Sequence, residues 1–187
     1  MQSRLGITCS WGERIKRENW RVVVIDSTEV SMAADNTHQT RAKQEILRLR
    51  QRGDPCAENW NGMAGDEQVV ELKRLFDDAS RCGHHLLILN HMVVGINSGS
   101  LLHRCWNHQQ LSQIINSSPC VVAHFNGHDH DGGFATDPLS GVHYLTFPAL
   151  CDSEGGIGAH AIAHFETNSI RLEGLGRVNS RKMEILG

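Results

Sequence analysis

Three short apolar runs punctuate this chain, and each ends in polar residues. The run at 21–26 is continuous rather than alternating, so it predicts a strand buried on both faces of a sheet. The runs at 85–91 and 120–125 repeat that pattern. Helical periodicities lie between them. Ala42, Ile46 and Leu49 form one stripe within residues 38–52, and Gly53 follows as a stop. Val69, Leu72, Leu75, Phe76 and Ala79 share one face of a second helix, which Gly83 closes. Asp66 and Glu67 open that helix, where the backbone dipole favours negative charge. Leu111, Ile114 and Ile115 predict a short third helix over 107–117. Residues 27–37 and 54–65 read as loops.

After residue 130 the pattern changes. Residues 142–147, 159–166 and 169–173 are strand-like, and Thr167-Asn168 suits a tight hairpin between the last two. Alternating strands and helices followed by strands predict a layered α/β domain with an antiparallel finish. The 187 residues suit one domain with a sizeable core, and no repeat or linker divides them. Residues 1–20 are polar and irregular, and residues 1–19 are expected to be poorly ordered or to lie outside the family fold.

Composition narrows the function. A net charge of −3 provides no broad basic field, so nucleic acid is not expected as a partner. No apolar stretch reaches the roughly 20 residues of a membrane helix, and no membrane partner is expected. Six cysteines occur without a C-x-x-C pair, which argues against a zinc ribbon. The start of the chain lacks an apolar secretory core, so free thiols in a reducing compartment, the cytoplasm, are expected. Twelve histidines against one tyrosine make metal chemistry worth seeking, but position has to decide.

The strongest candidate is Gly127-His128-Asp129-His130-Asp131-Gly132-Gly133, directly after a buried strand. Ligands of open α/β sheets bind at strand ends. Glycines let the backbone turn sharply there, and two histidines at i and i+2 can aim at one metal ion or at two. The plain alternative is a polar surface turn. Asn90-His91 ends the neighbouring apolar run and is placed to meet that turn.

A strand ending in His, then a strand ending in Gly-His-x-His, resembles the second half of the calcineurin-like metallophosphoesterases. Further features resemble the manganese-dependent ADP-ribose/CDP-alcohol diphosphatases in particular. These are Trp20-Arg21 opening a strand that ends at Asp26, Asn61-Gly62 before a helix carrying Glu67-Gln68, and Trp106-Asn107 before the next helix. Beyond the histidine turn come Phe134, Asp137-Pro138, Gly141-Val142-His143 and finally Gly174-Leu175-Gly176-Arg177. The likeness runs from about residue 20 to residue 181 in one order.

The resemblance implies a layered α/β/β/α sandwich, incomplete at its N-terminus, and hydrolysis of the diphosphate bond of ADP-ribose, CDP-choline and related nucleoside diphosphate derivatives to a nucleoside monophosphate. It implies Mn2+ as cofactor, with His91 and His128 as ligands of one ion and His130 of the other. Asp129 or Asp131 would orient them. Asn61, Trp106 and Asn107 would serve the nucleotide, or else pack a loop and a helix start. Arg177 would meet phosphate, or else be a surface residue.

The family's Asp-x-His/Gln, Gly-Asp-x-x-Asp and Gly-Asn-His/Asp stretches do not occur before His91, and Val93 stands where the family usually has Pro. Ala149-Leu150-Cys151-Asp152 stands where the family has a Gly-Val-Ile-Glu-like stretch. Two expectations of different class follow. One is a hydrolase acting on nucleoside diphosphate small molecules. The other is a truncated, inactive fragment acting at most as a binding module. Half of a two-sheet fold would also leave apolar surface uncovered, which drives self-association.

Overall fold

The apolar runs become the centre of one sheet, and the chain's other elements are arranged around them. The structure, a computed structural model, describes residues 10–185. Strand β1 (Gly12–Arg17) turns back as β2 (Trp20–Val24), and β3 (Val30–Ser31) leads into helix α1 (Asn36–Gln51). Then follow β4 (Gly62–Met63), α2 (Asp66–Arg81), β5 (His85–Leu89), α3 (His108–Asn116) and β6 (Val121–Asn126). The remainder is strand: β7 (Gly133–Thr136), β8 (His143–Thr146), β9 (Ala159–Phe165), β10 (Ser169–Gly176) and β11 (Arg181–Glu184).

The main sheet has the order β1-β2-β5-β6-β8-β7. Its inner strands β2, β5, β6 and β8 run parallel, and β1 and β7 close its edges antiparallel. Continuous apolar runs suit the inner positions because both faces are covered. On one face Val23 and Ile88 pack with Leu72, Phe76, Leu111 and Ile115 of the helices. On the other, Val22, Leu87, Phe125 and Leu145 meet Ile170, Leu172 and Met183 of a second sheet ordered β11-β10-β9. The described residues thus form three layers: helices, a six-stranded sheet and a three-stranded sheet. Among the described residues, no helix is long and apolar enough to cross a membrane.

Two sequence expectations are corrected. Residues 12–17 are not irregular: they form edge strand β1, paired with β2 from Gly12↔Val24 to Arg17↔Trp20. Its side chains are mostly exposed, so no apolar pattern announces it. The first nine residues, also expected to be poorly ordered, lie outside the described residues. Helix α1 starts within the segment read as a loop, because the Asp35 carboxylate accepts from the backbone N–H of Thr37 and His38 and caps it.

The two sheets do not close over one another completely. Ile15, Leu87, Phe125, Phe147, Ala163 and Phe165 line an open apolar groove of about 510 Å3. Strand β9 is the outer strand of the second sheet, with Ile162 52% and Phe165 42% exposed.

His124, in the middle of β6, is fully buried with neither ring nitrogen hydrogen-bonded. Burial pushes its pKa down to about 3. An unfolded histidine takes a proton near pH 6.5, so between those values the unfolded state binds the extra proton. Stability contributed by the neutral ring is therefore lost as pH falls from about 6.5. Urea unfolding at pH 7 and pH 5 should show the natural chain losing up to about 2 kcal/mol more than His124→Leu. Equal losses in the two proteins would contradict it.

Candidate metal centre

Parallel pairing of β5 and β6 puts the ends of both strands side by side. The backbone seals this arrangement beyond the strands: Asn90 N–H bonds Phe125 O at 3.0 Å, and Gly127 N–H bonds His91 O at 3.1 Å. His91 and His128 are thereby brought together, with His91 Nε2 3.0 Å from His128 Nδ1. Their rings meet edge-on, 4.8 Å between centroids. His128 holds a left-handed backbone conformation, φ 67°, which turns its side chain back toward β5. The following glycines are required by close approach. A Cβ on Gly133 would lie 2.5 Å from Ser98 O, and Gly132 combines φ 74° with a Cβ position 2.9 Å from Pro148 N.

Asn61 sets the state of His128. It is fully buried, and its amide nitrogen donates to Cys56 O (2.9 Å) and Leu102 O (2.7 Å). With both amide hydrogens used, its oxygen must face His128 Nε2, 2.9 Å away. Nε2 therefore carries the proton, and the Nδ1 lone pair points at His91. Burial pushes His128 down to about 4, helped by the neighbouring His91 and His103, and burial lowers His91 as well. Both rings are neutral near pH 7, the form that binds metal. His91 Nε2 then donates to His128 Nδ1, so the two nitrogens face one another, and a divalent cation held by both would have to displace that proton.

The other expected residues divide. His130 is not turned to that pair: its Nδ1 lies 2.8 Å from Asp152 Oδ2, and this contact holds the Asp152 carboxyl below the usual range. Asp129 anchors the loop, accepting from Ser100 N–H at 2.5 Å and Asp131 N–H at 3.3 Å, with His103 Nδ1 3.9 Å away. Asp131 lines a cavity of about 370 Å3 together with Trp60, His103, His128, Asp129 and His130. Trp106 is buried in the helix-side core. Asn107 donates to Ala64 O (3.0 Å) and Gln110 Oε1 (3.2 Å) at the start of α3. Arg177 spans two backbone carbonyls, Ala149 O at 2.9 Å and His130 O at 3.4 Å.

Sequence reading missed His103, Trp60 and the pair Cys151-Asp152 as parts of this region. His103 lies edge-on to His128, 5.3 Å between centroids, from a segment without periodicity. Only the odd wording at 149–152 offered a signal. Among the described residues, no third histidine, cysteine or carboxylate joins His91 and His128 at ligand spacing; the one such group is His130, Cys151 and Asp152.

The Asn61 assignment makes a prediction. Histidine-ring nitrogen spectra of the natural chain should show one His128 tautomer, protonated at Nε2. Asn61→Ala should mix the tautomers and cost about 1–3 kcal/mol, as expected when a buried partner is left unpaired. A single tautomer in the variant would show that Asn61 does not set it.

Comparisons with known proteins find relatives by sequence and by fold. No family model matches the chain. A protein named manganese-dependent ADP-ribose/CDP-alcohol diphosphatase from Bos taurus is 25% identical over 176 residues, covering 88% of this chain and 52% of its own length. One of the same name from Oryza sativa subsp. japonica is 29% identical over 124 residues, 66% of this chain and 38% of its own. The chain thus spans about half the length of the curated relatives it matches, 52% for the Bos taurus protein. Among solved structures, a dimetal phosphatase from Danio rerio superposes with TM-score 0.86 at 20% identity, over 93% of this chain and 60% of that one. The chain is a homologue of the proteins named manganese-dependent ADP-ribose/CDP-alcohol diphosphatase, and it has the metallophosphoesterase fold of a dimetal phosphatase.

Proposed function

We propose that this chain serves metal-dependent hydrolysis of the diphosphate bond in nucleoside diphosphate derivatives such as ADP-ribose and CDP-choline, releasing a nucleoside monophosphate. The observation that carries the reading is the convergence of His91 and His128 at 3.0 Å beside a strand-end turn, with Asn61 holding the tautomer. The relatives' names supply the substrate class and manganese. A bound divalent ion supplies charge neutralisation for phosphate and activation of water at neutral pH. The chain's own contribution is to keep two imidazoles neutral and side by side at the strand ends. Trp60, 56% exposed on the wall of the adjoining cavity, offers an aromatic face for a nucleobase, and the apolar ring plane suits stacking. His130 belongs to the same cavity wall, where the family resemblance makes it a ligand of a second ion.

A second reading is favoured by the open groove between the sheets and the two-histidine ligand set: an inactive fragment acting at most as a binding module. Apolar surface of that kind promotes association, with a second copy of the chain as the occupant.

Two measurements separate these readings. With Mn2+ added, the purified chain is expected to release AMP from ADP-ribose and CMP from CDP-choline, and His128→Ala is expected to abolish release. Turnover no greater than that of His128→Ala would support the fragment. Sedimentation of the same sample should then show dimers; a cooperatively melting monomer without turnover would defeat both readings.

A further inference from the structure

We propose that His130, Cys151 and Asp152 form a second, thiolate-containing site for a zinc-class divalent cation, separate from the His91–His128 pair. Each residue contributes a different donor: an imidazole nitrogen, a sulfur and a carboxylate oxygen. The donor atoms all lie within 4.8 Å of one another. Asp152 Oδ2 is 2.8 Å from His130 Nδ1, and Cys151 Sγ is 3.5 Å from Asp152 Oδ1.

The backbone builds this group rather than leaving it to chance. Ser153 N–H bonds Leu150 O at 3.1 Å, which makes Cys151 and Asp152 the central pair of a tight turn. Ala149 N–H bonds His130 O at 3.0 Å and pins that turn to the histidine loop. Arg177 clamps the junction from outside through Ala149 O and His130 O. All three side chains are exposed, so an ion can enter and a water can complete a tetrahedral set.

The donor chemistry selects the ion. Carboxylate and water donors suit Mn2+, whereas a thiolate favours zinc-class ions. On binding, the metal–sulfur bond replaces the Sγ–H bond and the proton leaves to solvent. The remaining described cysteines are unsuited. Cys56, Cys105 and Cys120 are buried, and burial pushes each thiol up, Cys105 to about 12. Cys82 is exposed but belongs to no group of metal-ligand donors among the described residues. Cys151 and Asp152 also fall where the sequence departs from the resembling family. The site shares only the wall of the 370 Å3 cavity with His128, through His130.

Titrating the full chain with Co2+ tests this. We expect a near-ultraviolet thiolate-to-cobalt charge-transfer band, displaced by Zn2+ and unaffected by an equal concentration of Mn2+. Cys151→Ser and His130→Ala should each abolish the band. Cys82→Ser and His91→Ala should leave it in place. No band in the natural chain, or a band that survives in Cys151→Ser, would overturn the proposal. The cobalt spectrum does not depend on turnover, so this inference and the hydrolytic reading fail separately.

Discussion

Parallel pairing of β5 with β6 decides where the chemistry of this chain can lie. Parallel neighbours end at the same edge of a sheet, so the residues following each strand meet without any further folding. The two backbone bonds beyond the strands, Asn90 to Phe125 and Gly127 to His91, extend that meeting by one turn. The convergence of His91 and His128 is thus a consequence of strand direction, with the left-handed His128 backbone supplying the final rotation. The same strands hold the two cores apart. Val22 and Leu87 face the second sheet while Val23 and Ile88 face the helices, so the site rests on a support packed on both sides.

Those features were legible in the sequence because burial on two faces leaves an unbroken apolar signature. The runs at 21–26, 85–91 and 120–125 became β2, β5 and β6, and the helical stripes became α1, α2 and α3. Strands β1, β7 and β11 left little trace. Each lies at a sheet edge, and most of their side chains alternate or face outward, so pairing rather than composition makes them strands. The two-residue strands β3 and β4 are set by a contact between loops, which no local pattern encodes.

The site shows the same division. That His91 and His128 share a strand edge followed from the order of elements. Which way His130 turns did not, because spacing of i and i+2 in a turn leaves direction open. It is the loop after β8 that takes His130 away from the pair, through Asp152, 22 residues further on. Asn61 is a comparable case. Its place before α2 suggests a nucleotide contact, and in the structure its amide nitrogen donates to Cys56 and Leu102 while its oxygen faces His128. These bonds let Asn61 orient His128 from inside the protein, which its position in the sequence does not reveal.

The arrangement carries a wider consequence for the metal chemistry. The His91–His128 pair presents nitrogen only, and Asn61 keeps one of those nitrogens unprotonated toward its neighbour. The group around Cys151 adds sulfur and carboxylate oxygen on a separate loop. Ion preference follows donor softness and geometry more than affinity alone. In the proposal above, two neighbouring loops favour different ions because their donors differ. The fold sets where donors gather, and the loop after β8 sets what kind of donors they are.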